Sequence, residues 1–391
     1  MKKFWWILAI LTAWILVGCD PVEPEPEPQP APQPEEKIVY SLKDISEMTL
    51  REKVGQLFNV RAEDLDLTSS YTITAGSTVV TEGFNRYPCG GITLFAANIK
   101  NPEQIKALTK YLHGLGNYPL ICVDEEGGRV ARIANNSNFN VVKYASMSAV
   151  GATGDPKKAY EAGDNIGSYL SLYGFDVDLA PVSDVNTNPE NVVIGDRAFG
   201  SSPQLVADMA SQFLLGLQKE SVEGCLKHFP GHGDTKADTH YGYAESLKTW
   251  DELKDCEMIP FQKGIATGAQ MVMTAHVCLP NVTGGSIPST LSPMILGDIL
   301  RGRLGFKGVI ITDSMGMGAI TQQYSPEEAA IVAIEAGVDI VLDPADYVSA
   351  FEAVVSAVES GRISMARIDE SVSRVLELKK KILRQRGQLL I

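Results

Sequence analysis

Eight short apolar runs punctuate the chain: "GQLFNV" from Gly55, "GGITLF" from Gly90, "YPLICVD" from Tyr118, "FDVDLAP" from Phe175, "GCLKHF" from Gly224, "MVMTAH" from Met271, "GVIITD" from Gly308 and "VDIVLD" from Val338. They lack strict apolar–polar alternation, as expected of strands covered on both faces. Between most of them lie segments of helical period, such as "NPEQIKALTKYLHGLG", "DPKKAYEAGDNIGSYLSLYG" and "SPEEAAIVAIEAG". Each opens on Asn, Asp or Ser with a proline just inside, a helix-start signal. Repeated β-then-α units predict an α/β protein, a (β/α)8 TIM-like barrel in one domain. The first unit is the weakest, because Arg61 to Pro88 reads as a polar loop rich in Thr and Gly, with no clear helix. A doubly wound open sheet is the competing architecture, but no GxGxxG follows an early strand.

In a barrel of this kind the chemistry sits where strands end and βα loops begin. Asp124 closes the third predicted strand, Lys227 and His228 the fifth, His276 the sixth and Asp313 the seventh. The stretch "KHFPGHGDTKADTH", Lys227 to His240, gathers three of the five histidines of the chain in what becomes the fifth βα loop. Two chemistries suit these residues. His228, His232, His240, His276 and Asp313 are ligand types found in zinc hydrolases. The alternative is metal-free, with an aspartate attacking and a histidine moving the proton. No HExxH occurs and no HxH closes the first strand, so the usual spacing of a zinc barrel is missing.

Composition narrows the partners. With 34 basic and 48 acidic residues the net charge is −14, and no sizeable basic patch offsets it, which excludes nucleic acid. The six cysteines form no CxxC pair and suggest neither a zinc knuckle nor a disulfide framework. Cys19 is separate from the rest. "MKK", the apolar run "FWWILAILTAWILVG" and Cys19 describe a signal peptide rather than a spanning helix. "LVGC" resembles the bacterial lipobox, whose cysteine is acylated. The expected organisation is a lipoprotein signal over 1–19, a Pro/Glu-rich tether over 20–40 and the barrel over 41–391. The tether "PVEPEPEPQPAPQP" favours extended polyproline II, reaching roughly 40 Å at ~3.1 Å per residue. The protein is thus expected to be exported and held at a membrane by its lipid.

The long loop motif "KHFPGHGDTKADTH" is similar to the signature of glycoside hydrolase family 3, in its single-domain β-N-acetylglucosaminidase branch. "VDEEGGRVAR" (Val123 to Arg132), "GDRAFG" (Gly195 to Gly200) and "GVIITDSMGMGAI" (Gly308 to Ile320) resemble three further motifs of that family in the same order. Together they cover roughly Ile45 to Arg384. The resemblance implies Asp313 as nucleophile, His240 as general acid/base and Asp238 as the group orienting His240. It implies that Asp124, Arg132, Arg197, Lys227 and His228 bind the hydroxyls of the sugar before the cleaved bond. An imidazole with a pKa near ~6.5 serves as acid and then as base without the burial a carboxyl would need. Set between Gly233 and Gly242, the dyad loop is expected to move and to complete the site around bound sugar.

Other roles are structural in this reading. His232 and Asp234 shape the loop, His276 is a satisfied strand-end histidine, and His113 is a surface or packing residue. Without the motif, Lys227 with His228 suits a buried ion pair, Arg197 with Asp196 a surface salt bridge, and Asp124 to Glu126 an acidic run for a metal. The chain departs from the family at "YGYAES" after the dyad and in the long loop "TSSYTITAGSTVVTEG", so the leaving-group subsite and the rim are expected to differ. No second α/β domain follows before Ile391, which fits the His-dyad branch. The expected activity is retaining removal of terminal β-linked N-acetylglucosamine from peptidoglycan fragments or related glycans, without metal or organic cofactor. Its rivals are a phosphorylase or β-glucosidase of the same family and a non-catalytic glycan-binding lipoprotein.

Overall fold

Alternate residues on successive strands separate two apolar clusters, and that division builds the molecule. In the computed structural model, which describes residues 38–68, 71–236 and 244–390, the eight predicted strands form one parallel sheet. They are β1 (Phe58–Arg61), β2 (Gly91–Thr93), β3 (Leu120–Val123), β4 (Val177–Asp178), β5 (Glu223–Phe229), β6 (Met271–Thr274), β7 (Val309–Thr312) and β8 (Val341–Leu342). Each pairs with its neighbours in sequence, and β8 pairs with β1 through Phe58 and Val341. A parallel bridge between Ile311 and Ile340 closes the ring between β7 and β8. The result is a (β/α)8 barrel.

Leu120, Cys122, Val177, Leu179, Met271, Met273, Val309, Ile311, Ile340 and Leu342 form the inner cluster, joined by Val375, Leu378 and Ile382 from the long helix Met365–Gln385. The residues between them, including Ile121, Val123, Val272, Ile310 and Val341, join the outer cluster under the helices. Both faces of each strand are buried, which explains the unbroken apolar runs. The outer helices begin where the sequence signals placed them. Asn101, Asp155 and Ser325 cap Pro102–His113, Pro156–Leu172 and Pro326–Ala336, each accepting from a backbone N–H in the first turn. Gly337 ends the last of these at φ 115°, a conformation that favours glycine.

The first unit corrects the sequence reading: the stretch expected to be a loop contains a helix, Thr78–Arg86. Ser77 caps it and Val80 and Phe84 bury one face. Its β-branched residues and Gly83 have weak helix propensity, so packing decides the outcome. Gly83 lies against the backbone of Leu65 so closely that a Cβ would come within 1.9 Å of the Leu65 carbonyl oxygen.

The barrel belongs to a unit running from Val39 to Ile391. Among the described residues no helix is long and apolar enough to cross a membrane. Cys19, the signal segment and the tether lie outside the described residues.

Candidate active site

The inward parity of each strand carries on to its C-terminal end, and there the polar residues begin. Asp124 continues the inward series Leu120–Cys122, Lys227 continues Cys225, and Asp313 continues Val309–Ile311. A cavity of about 400 Å3 opens at this end. Asp124, Arg132, Arg197, Lys227, His228 and Asp313 all line it. Thus every described residue of the predicted catalytic and sugar-binding set reaches one cavity. Asp238 and His240 lie outside the described residues.

Lys227 and His228 are adjacent in sequence, yet both face the cavity. A strand with regular pleat would send them to opposite sides. The register of β5 against β6 shifts between Leu226 and Phe229, where the simple alternation ends.

Charge is distributed in a continuous chain. The Lys227 ammonium contacts Asp124 at 2.8 Å and Glu126 at 2.5 Å. Arg197 holds Glu126 in a bidentate pair, Nε to Oε2 and Nη2 to Oε1, both at 2.7 Å. Arg132 reaches the other oxygen of Asp124 at 3.3 Å. Both side chains at the centre are buried, with Lys227 2% and Glu126 1% exposed. Burial alone would raise the Glu126 carboxyl, but Arg197 and Lys227 hold it far below the usual range. Burial alone would lower Lys227, and Asp124 with Glu126 drives it up instead. These charges therefore stay charged through the neutral range.

Asp184 organises the next layer. Its Oδ2 meets His228 Nδ1 at 2.7 Å, and its Oδ1 accepts from the His232 backbone N–H at 2.6 Å. The opposite ring nitrogen of His228 stands 3.4 Å from Arg197. Burial opposes ionisation of Asp184, but His228 and His232 outweigh it and hold the carboxyl low. Glu125, also buried, accepts backbone N–H bonds from Arg132, Ile133 and Ala134 and the Tyr169 hydroxyl. It folds the loop that carries Arg132. The acidic run Asp124 to Glu126 is thus divided among separate partners, and no group of three His, Cys, Asp or Glu among the described residues could hold a metal ion.

Asp313 is half-buried at the end of β7, and its Oδ1 accepts the Ser314 N–H at 2.8 Å. Burial pushes its carboxyl up, but His228, His276, the Ser314 N–H and Lys227 bring it below the ordinary value. Ser314 itself is held twice. Its carbonyl is 2.9 Å from His276 Nε2, and its hydroxyl donates to Asp343 at 2.6 Å. Asp343, at the end of β8, also receives Arg61 from the end of β1 in a bidentate pair. Three strand ends are thereby tied together beside Asp313.

Sequence reading missed Glu126 as the partner of two cations, and Asp184, Arg61 and Asp343 altogether. Arg61 and Asp343 do sit at strand ends, a signal that barrel geometry offers. The minor assignments fare as follows. His232 bonds Thr235, and Asp234 accepts from Ser246 and contacts Lys248, so both serve the loop. His276 bonds Thr290 as well as Ser314. His113 is buried, stacked on Tyr118 and paired with Asp176 at 2.8 Å. Asp196 pairs with Arg129, not with Arg197.

Residues 49–378 match the family described as glycosyl hydrolase family 3 N terminal domain. β-Hexosaminidase A of Pseudoalteromonas piscicida is 34% identical over 343 residues, covering 80% of this chain and 56% of the relative. A solved family 3 β-N-acetylglucosaminidase from Paenibacillus sp. str. FPU-7 superposes with a TM-score of 0.80 at 38% identity, covering 86% of this chain and 63% of that one. The β-glucoside phosphorylase BglX superposes with a TM-score of 0.77 at 26% identity, covering 87% and 60%. The chain spans less than two thirds of the length of each of these proteins.

Proposed function

The chain belongs to glycosyl hydrolase family 3, and from that premise we propose that it is a retaining exo-β-N-acetylglucosaminidase acting on peptidoglycan fragments or related β-linked glycans. The observation that carries this reading is the gathering of Asp313 with Asp124, Arg132, Arg197, Lys227 and His228 on one cavity, in a chain similar to proteins named β-hexosaminidase and β-N-acetylglucosaminidase.

Asp313 Oδ1 is engaged by Ser314, so Oδ2 is the attacking atom. It forms a bond to the anomeric carbon as the bond to the leaving oxygen breaks, and His240 gives that oxygen its proton. Water then adds to the anomeric carbon, the ester to Asp313 breaks, and the proton from water returns to His240. Asp238 orients the imidazole and stabilises its charged form. The Lys227–Asp124 and Arg197–Glu126 pairs present fixed donors and acceptors to ring hydroxyls, which replaces the water the sugar loses. No metal or organic cofactor takes part. We place the protein outside the cell, anchored to a membrane through lipid on Cys19.

The test is release of 4-nitrophenol by the full chain from the β-N-acetylglucosaminide and from the matched β-glucoside, with and without inorganic phosphate. Preference for the N-acetyl substrate, with free sugar of retained configuration, is the expected result. A sugar 1-phosphate would instead make the protein a phosphorylase, as BglX is named. Saturable sugar binding without turnover would make it a glycan-binding protein. For the anchor, Cys19→Ala is expected to move the protein out of the membrane fraction.

A further inference from the structure

Asp184 is wholly buried behind two residues of the catalytic cavity wall, His228 and His232. Its Oδ1 accepts the His232 backbone N–H at 2.6 Å. Its Oδ2 accepts the His228 backbone N–H at 3.2 Å and lies 2.7 Å from Nδ1 of the His228 ring. Burial raises this carboxyl, but His228 and His232 hold it below its ordinary value, so it is ionised and only accepts hydrogen bonds. A carboxylate at that distance places the ring proton of His228 on Nδ1.

The other ring nitrogen has a different neighbour. Among the described residues the polar partner of Nε2 is Arg197 Nη2 at 3.4 Å, and a guanidinium only donates. A proton on Nε2 as well would set one cation against another. Arg197 cannot turn away, because Nε and Nη2 are held by Glu126 at 2.7 Å each and Nη1 by the Val193 carbonyl at 3.0 Å. Nη2 gives one of its two hydrogens to Glu126, which leaves the second for another acceptor.

A donor on Arg197 and a lone pair on His228 therefore stand side by side, both on residues that line the cavity. A sugar hydroxyl matches this pair, since it receives through its oxygen and gives its own hydrogen. We propose that Asp184 is a positioning residue that fixes His228 with Nε2 bare, so that one ring hydroxyl of the bound sugar receives from Arg197 and donates to His228. Asp184 thereby acts through the sugar-binding role proposed above for His228, and its own role rests on that reading. A substituent that accepts but cannot donate, such as fluorine, leaves the Nε2 lone pair unanswered at that position.

Long-range proton–nitrogen NMR of the full chain carrying isotope-labelled histidine, in mildly alkaline solution, tests the tautomer, with His228→Gln identifying the signal. Nδ1 protonated, Nε2 bare and a shift of Nε2 on adding N-acetylglucosamine are expected. A proton on Nε2, or no shift with the sugar, would overturn the proposal. The tautomer is read without turnover, so a bare Nε2 shifted by sugar in a protein that hydrolyses nothing would keep this role for Asp184 and remove the activity proposed above. In Asp184→Asn the amide oxygen keeps the closer His232 N–H, and the amide nitrogen then donates to Nδ1 and moves the ring proton to Nε2. KM for the 4-nitrophenyl β-N-acetylglucosaminide is expected to rise about tenfold with little change in kcat. Of the analogues carrying fluorine in place of each ring hydroxyl in turn, one is expected to lose about tenfold with the unaltered chain and nothing further with Asp184→Asn. Equal losses in both proteins would make Asp184 merely structural and overturn the proposal. Thermal melting shows whether Asp184→Asn is folded, and if it is not, the spectrum of the unaltered chain decides.

Discussion

Glu126 shows how one buried residue sets the state of several others. Its two oxygens satisfy Arg197 twice and Lys227 once, all inside the cavity wall. Glu126→Gln keeps the shape and removes the charge, leaving two cations with too little negative charge between them. Breaking a buried pair in this way costs about 3–5 kcal/mol, which urea unfolding would read as a lower midpoint at unchanged slope. Turnover is expected to fall as well, because Lys227 and Arg197 lose the partner that fixes their positions. Asp343 is a different case. It anchors the Ser314 hydroxyl, and Ser314 supplies the N–H that holds Asp313. Asp343→Ala should lower kcat of the proposed reaction by about tenfold through loss of orientation, with a smaller change in the affinity for N-acetylglucosamine, the product which that proposal implies. Asp343→Asn, which still accepts from Ser314, is expected to recover much of the loss. An equal fall in both variants would place the effect in the charge facing Arg61 and not in the orientation of Asp313.

Among the elements, the helix Thr78–Arg86 is the instructive one, because propensity and packing disagree there. Glycine in a helix usually costs about 0.5–1 kcal/mol against alanine, so Gly83→Ala would ordinarily stabilise. Here the added carbon would meet the Leu65 backbone, and the helix would have to move away from the segment Ala62–Leu65. The expected outcome is destabilisation by about 1–3 kcal/mol, visible as a lower melting temperature. A gain would mean that the helix can slide freely on its neighbour. The helices begun by Asn101, Asp155 and Ser325 pose no such conflict. Cap, proline and apolar stripe agree in each, which is why their sequences were readable in advance.

For the molecule as a whole, pH is expected to act most clearly from the base of the barrel. Burial pulls Lys379 down to about 7, with Cys89, Asp176 and Cys122 opposing. The unfolded chain would hold that proton up to a pH of about 10.4. Between these values the unfolded state binds more protons, so stability rises with pH across the window. Lys379→Met should flatten that rise in urea titrations at several pH values. Asp176 acts at the acid end. Burial opposes it, but His113 and Arg386 hold its carboxyl at about 2, so its contribution is present above a pH of about 3.9 and is lost as pH falls through about 2. By itself, the sequence determined the eight strands, most of the helices, and the ring of strand-end residues Asp124, Lys227, His228 and Asp313, because burial on both faces and strand-end position leave a local, periodic trace. Only the tertiary structure decided that Glu126 joins Arg197 to Lys227, that Asp184 holds His228, that Arg61 meets Asp343, and that Lys379 donates only to neutral acceptors among the described residues. Those pairings join residues distant in the chain, and whether a charge finds its partner depends on which ends the closed barrel brings together.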